Sequence, residues 1–137
     1  MKTTNKKEKT YIYTLGRRKR SVARIRLYKG KGQTLVNNMA IEEYFRGIPS
    51  ICYLRPFELT QTGGKYYVTA KIVGGGKSSQ TGAFVHGVSR AFVKTDAEKY
   101  KQALKPAGLL SRDPREKERR KFGLAQKARA RKQSPKR

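Results

Sequence analysis

The chain has no tryptophan, one cysteine (Cys52), one histidine (His86) and only nine acidic residues among 137. Each scarcity removes a class of function. One cysteine excludes an internal disulfide framework and a cysteine cluster for zinc. His86 and Cys52 could act as base and nucleophile only with an orienting third group, and no sequence signature supplies one. His86 instead reads as a packed, hydrogen-bonded histidine beside an apolar helix face. Glu42 and Glu43 are adjacent, so on a helix they do not face each other. Most acids stand beside Lys or Arg, which leaves neither a carboxylate pair nor a cation site to argue for. No catalysis, metal or cofactor is expected. Long apolar runs are also lacking: the longest, Ile51-Cys52-Tyr53-Leu54, has four residues, whereas a membrane span needs about 20. The first ten residues are basic with no apolar segment behind them, so neither a secretory signal nor a membrane partner is expected.

What the chain has in excess is positive charge. Thirty-four Lys+Arg give a formal net charge of +25, and hydrophobic residues are 36%. Such an excess invites an anionic partner, nucleic acid before an anionic membrane. Its distribution is uneven. Residues 1–31 hold 12 cations and one acid, residues 32–110 hold 10 and 5, and residues 111–137 hold 12 and 3. After Glu118 no acid follows, and Lys121, Lys127, Arg129, Arg131, Lys132, Lys136 and Arg137 are unopposed. Blocks of this kind repel themselves and stay disordered until phosphates neutralise them. The pattern divides the chain into a disordered basic arm (1–10), a core (11–110) and an extended basic tail (111–137).

Hydrophobic periodicity lies between the two ends. Ser21–Tyr28 alternates, with Ala23, Ile25 and Leu27 on one side and Val22, Arg24, Arg26 and Tyr28 on the other, as in a half-buried strand. Arginines beside a tyrosine suit phosphates and stacked bases. Lys29–Gly32 reads as a turn and Gln33–Val36 as a returning strand. Asn37 or Asn38 offers an N-cap for a short helix around Met39–Phe45. Ile51–Thr60 reads ambiguously, and Pro56 is expected to forbid a long regular helix through it. Lys65–Val73 is rich in Tyr, Val, Thr and Ile and reads as a strand. Ser78 or Ser79 can cap a helix with an apolar stripe at Phe84, Val88, Ala91 and Phe92, in which Gly87 points to close packing or close approach. Thr95 and Glu98 form a capping box for a further helix with Ala97, Tyr100 and Leu104 inward. Strands followed by packed helices give an α+β fold. Asp113, Pro114 and Glu116 signal a helix start, but Pro114–Lys121 has no apolar face and a short isolated helix is marginal in water, so order there is expected on RNA.

Gly74-Gly75-Gly76-Lys77-Ser78 suggests a phosphate-binding loop. The Walker pattern requires glycine where Lys71 stands, and the dinucleotide fingerprint requires it where Ser79 stands, so both fail. A simpler reading survives: a glycine loop entering a helix N-terminus exposes backbone N–H groups to an RNA phosphate, with Lys77 adding charge. The alternative is a flexible hinge between strand and helix.

Three segments carry a resemblance. Leu15-Gly16-Arg17-Arg18-Lys19-Arg20-Ser21-Val22-Ala23-Arg24 resembles the opening of the small-subunit ribosomal protein nine family. Gly74–Gly76, Gln80, Gly82-Ala83, His86-Gly87 and Arg90-Ala91 match its central signature in order and spacing. Leu109-Leu110-Ser111-Arg112-Asp113-Pro114-Arg115-Glu116, with Glu118–Lys121 and Gly123, is similar to its third block, in the bacterial and organellar type. The resemblance runs from about Tyr11 to Arg137. It implies a left-handed βαβ-type α+β domain on ribosomal RNA in the head of the small subunit, beside neighbouring head proteins, and a C-terminal tail that reaches the peptidyl-site transfer RNA. The family usually ends in Ser-Lys-Arg; here Lys136-Arg137 match, while Pro135 precedes them and the serine is Ser134.

The expected function is therefore structural, on a cytoplasmic or organellar ribosome, with no homo-oligomer. The ribosomal RNA ligands expected are Arg17, Arg18, Lys19 and Arg20 on a Gly16–Arg20 loop, with Arg24, Arg26, Gly74, Gly75, Gly76, Lys77, Arg112, Arg115, Arg119, Arg120, Lys121, Arg129 and Arg131. Lys136 and Arg137 are expected on transfer RNA. The rival is a DNA-compacting architectural protein, which would need a dimer interface and arms gripping a duplex.

Overall fold

The computed structural model describes residues 10–134. Two alternating segments, β1 (Tyr11–Arg18) and β2 (Ser21–Lys29), pair antiparallel through the two-residue turn Lys19-Arg20, from Tyr11↔Tyr28 to Arg18↔Ser21. Lys19 takes φ 50° in this turn. The segment read as a loop, Gly16–Arg20, is thus strand as far as Arg18. Strand β2 is also paired antiparallel with β5 (Tyr66–Val73). The short strands β3 (Leu35–Val36) and β4 (Met39–Ala40) complete the five-stranded order β1-β2-β5-β3-β4.

Strand β3 runs parallel to β5 and does not return onto β2. The chain between them crosses over through β4, α1 (Ile41–Tyr44) and α2 (Ser50–Thr60), which supplies the βαβ unit. Asn37 and Asn38 do not cap a helix. With φ 49° and 66° they form the two-residue turn between β3 and β4, a conformation Asn tolerates better than most residues. Asn37 also extends the sheet: its Oδ1 accepts from the Ile72 N–H at 2.9 Å and its Nδ2 donates to the Ile72 carbonyl at 3.0 Å.

Pro56 lies inside the 11-residue α2, against the sequence expectation. It removes the donor that would serve the carbonyl of Cys52, an exposed residue that water can solvate, while Pro56 itself is buried. The long helix α3 (Lys77–Thr95) is capped by Gly76 rather than by Ser78 or Ser79, and α4 (Ala97–Leu104) by Asp96, whose carboxylate accepts from the Lys99 N–H at 3.2 Å. Thr95 is the last residue of α3, and its hydroxyl donates back to the Ala91 carbonyl. Tyr100 and Leu104 are buried as expected; Ala97 is exposed. Residues 111–134 form neither helix nor strand, so the helix signalled at Asp113–Glu116 is not formed.

The core lies between one face of the sheet and the helices. Ala23, Ile25, Leu27, Val68, Ala70 and Ile72 meet the expected stripe of Phe84, Val88, Ala91 and Phe92, all buried. Phe57 and Tyr66 stand edge-on to Phe92 at 5.4 and 5.7 Å, and Phe45 meets Phe84 at 5.9 Å. The opposite face presents Tyr11, Tyr13, Leu15 and Arg17 from β1, Val22, Arg24, Arg26 and Tyr28 from β2, and Tyr67, Thr69, Lys71 and Val73 from β5, alternate residues in register. Alternation puts one set on the core and the other on an open surface.

Candidate nucleic-acid interface

The glycine loop is held in one shape by its neighbours. Gly74 and Gly75 take φ +79° and +64°, conformations that favour glycine. A Cβ on Gly75 would collide with the hydroxyls of Ser21 and Ser79, and one on Gly74 would lie 2.6 Å from the Arg20 carbonyl. The Ser21 hydroxyl is 2.9 Å from the Gly74 carbonyl and 2.8 Å from the Ser79 hydroxyl, which in turn accepts from the Gly76 N–H at 3.1 Å. This packing leaves little room for a hinge. It fixes the α3 N-terminus, whose first-turn N–H groups have no helical partner and carry the positive end of the helix dipole.

The structure brings this loop together with two segments remote in sequence. Lys19 and Arg20 from the β1–β2 turn, Gly75, Gly76 and Ser78, and the run Glu116–Arg120 from the C-terminal segment line one groove, in which Glu116 lies 3.5 Å from Arg20. An ion pair brings the last segment there: the Arg18 guanidinium holds the Asp113 carboxylate. Arg115 closes on the same carboxylate, with Nη2 at 2.8 Å and Nε at 3.0 Å. Arg115 and Arg18 keep Asp113 ionised far below the usual carboxylate range, the hydrogen bonds from Arg115 being the larger cause. Further on, Glu118 accepts from Arg129 at 2.7 Å and lies 3.4 Å from Lys121, and both cations lower its pKa.

The other expected ligands lie elsewhere. Lys77 is turned away from the groove: its ammonium donates to the Tyr44 carbonyl at 2.6 Å and sits 3.8 Å from the Tyr44 ring centre. Charge at the loop therefore comes from Lys19, Arg20, Lys117, Arg119 and Arg120, which outnumber Glu116 and Glu118 on the same lining. Arg24 and Arg26 are on the open sheet face. Arg17 and Arg112 share a third pocket with His86 and Arg90. Arg115, Lys121 and Arg129 hold the acids just described, and Arg131 is exposed. Lys136 and Arg137 lie outside the described residues. Lys117 and Ser78 in the groove, and Lys71 with Tyr13 and Tyr67 on the sheet face, were not among the expected ligands. Lys71 had a signal, since it alternates with buried Ala70 and Ile72.

His86 is a structural connector. Its Nδ1 accepts from the Arg17 N–H at 3.3 Å, and the ring hydrogen-bonds the Leu110 backbone, so it ties β1 to the start of the C-terminal segment. Burial lowers its pKa and the Arg90 and Arg112 cations add to this, against the opposing Leu110 bond. The ring is accordingly held neutral.

The family model described as ribosomal protein S9/S16 matches residues 16–137. The match takes in the β1–β2 turn, the glycine loop and the whole C-terminal segment, the three pieces that meet in the groove. The chain belongs to the ribosomal protein S9/S16 family, whose members are RNA-binding, typically non-enzymatic proteins of the ribosome that act in translation.

Proposed function

We propose that this chain is a structural protein of the small ribosomal subunit, seated on ribosomal RNA in the head, with a left-handed βαβ core, a basic arm over residues 1–10 and a tail over residues 111–137. The observation that carries the reading is the groove in which Lys19, Arg20, the Gly75-Gly76 backbone, Arg119 and Arg120 converge. Backbone N–H groups at a helix end and five cations from two separate segments, outnumbering the two acids beside them, suit RNA backbone phosphates, which are read by shape and charge. Lys136 and Arg137 touch the peptidyl-site transfer RNA in this reading, as their match to the Lys-Arg pair of the family resemblance implies. Fifteen residues from Gly123 span at most about 50 Å.

The test is fractionation of the tagged full chain at moderate salt. Sedimentation with small subunits is expected; sedimentation with nucleoid or chromatin would favour a DNA-compacting protein. For the tail, subunits carrying a chain that lacks Lys136 and Arg137 are compared with the parent in transfer RNA filter binding across a salt series. The truncated chain should still incorporate, with weaker binding and a shallower salt dependence. Superimposed curves would withdraw the transfer RNA contact.

A further inference from the structure

The open sheet face carries an arrangement that a bare protein surface disfavours. Arg24 on β2 and Lys71 on β5 are direct register partners, and like charges directly opposite across a sheet are destabilising. No ion pair among the described residues includes Arg24, Arg26 or Lys71, and no acid occupies an outward position of β1, β2 or β5. Tyr13 stands across the β1–β2 pair from Arg26 and is 42% exposed. Its neighbours are committed to one another. Tyr67 packs on Gly32 and stacks on Tyr28 at 4.9 Å and 9°, and Tyr28 leans on Tyr11 at 5.5 Å. Tyr13 takes no part in that stack. Together with Arg24, Arg26, Thr69, Lys71 and Asn38 it lines a groove over the sheet.

We propose that this face binds an unpaired RNA strand, with Tyr13 stacking on a base and Arg24, Arg26 and Lys71 holding the adjoining phosphates. The inference rests on the ribosomal reading above and adds a second RNA surface, on the opposite side of the sheet from the helices. An anion between Arg24 and Lys71 turns a repulsive pair into a binding site. A ring exposed among cations suits a splayed base, whose π-face a duplex keeps inside its own stack.

The experiment uses the full chain and fluorescence anisotropy with a labelled 12-nucleotide uridine strand and a blunt RNA duplex of equal length. Tyr13→Ala should weaken strand binding about tenfold and duplex binding less than twofold. The double variant R24Q/K71Q should flatten the salt dependence on the strand by about 1.4 in log–log slope, for two phosphates lost, and should raise the melting temperature of the RNA-free protein. Equal losses on both RNAs, or none, with an unchanged slope, would overturn the proposal. So would competition by polyglutamate that Tyr13→Ala leaves unaltered, since that marks an acidic protein as the occupant. Sedimentation separates the two readings. If the parent fails to join small subunits, the ribosomal reading falls; if it joins while these variants bind RNA like the parent, only the sheet-face inference falls.

Discussion

Gly16 on β1 and Gly87 on α3 meet backbone to backbone. A Cβ on Gly16 would overlap the Ala83 carbonyl and the Gly87 amide, and one on Gly87 would lie 2.5 Å from Ile25 Cγ1 and 3.1 Å from the Gly16 nitrogen. The Thr14 hydroxyl, two residues along β1, donates to the Gly87 carbonyl at 2.8 Å. Two glycines thus set the distance between strand and helix, and no flexible side chain can give way at Gly16. Gly16→Ala should cost about 3 kcal/mol or more, at or above the upper end of ordinary overpacking. Gly87→Ala should cost about 1–2 kcal/mol, because the helix gains about 1 kcal/mol in propensity. Urea denaturation of the two variants measures the difference; equal losses would contradict the asymmetry.

The glycine loop offers a separation of stability from binding. Gly75→Ala places a Cβ at φ +64° against two serine hydroxyls and should lower stability by about 1–3 kcal/mol. Gly76 has extended backbone and open space around it, so Gly76→Ser should change stability by less than about 0.5 kcal/mol. In the proposed interface the added hydroxymethyl crowds the phosphate, and ribosomal RNA binding should fall. Thermal melts with RNA titrations of both variants read the two effects independently.

His86 predicts an acid-sensitive fold. Its folded pKa is below its unfolded value of about 6.5, so the unfolded chain takes up the proton first. The stabilisation is complete above that value and is lost as pH falls through the lower folded pKa. His86→Gln can keep an acceptor and a donor without titrating. The parent should lose more stability than the variant between pH 7.5 and 5.5 in denaturant melts. Asp113 and Glu118 have the carboxylate sign, with stability lost only as pH falls below about 4 toward their depressed values.

Asp113 anchors the C-terminal segment. Asp113→Ala removes the acceptor of the Arg115 N–H, bound at 3.0 Å, and the partner of Arg18. Hydrogen exchange at Arg115 should accelerate, while the melting temperature moves little, because a half-buried ion pair outside the hydrophobic core does not hold it. Unchanged exchange would show that Asp113 is not the anchor.

The elements with strong local signals were legible in the sequence. Alternation exposed β2, composition exposed β5, and the Phe84–Phe92 stripe gave α3. What failed was decided by the rest of the fold. β1 was hidden because Gly16 and the run Arg17–Arg20 read as a loop; a strand survives there since Gly16 is where α3 approaches. Pro56 is tolerated because the carbonyl it deprives belongs to Cys52, an exposed residue. The Asn pair reads as a cap until β3 is placed beside β5, where a tight turn is needed. The candidate ligands were found as residue types, but not their grouping. Nothing local says that Arg18 reaches Asp113, 95 residues away, or that Tyr44 claims Lys77.

The order of the strands also bears on how the chain acquires its fold during synthesis. The β1–β2 hairpin is complete by Lys29, yet the helix that covers its apolar face ends at Thr95. At about 5–20 residues per second the hairpin waits roughly 3–13 s for its cover. Ala23, Ile25 and Leu27 are wet throughout that interval, and β2 offers an unpaired edge until β5 emerges. A nascent chain stalled between these points is an aggregation hazard, and the cations of residues 1–31 give it a self-repulsion that acts before any packing can.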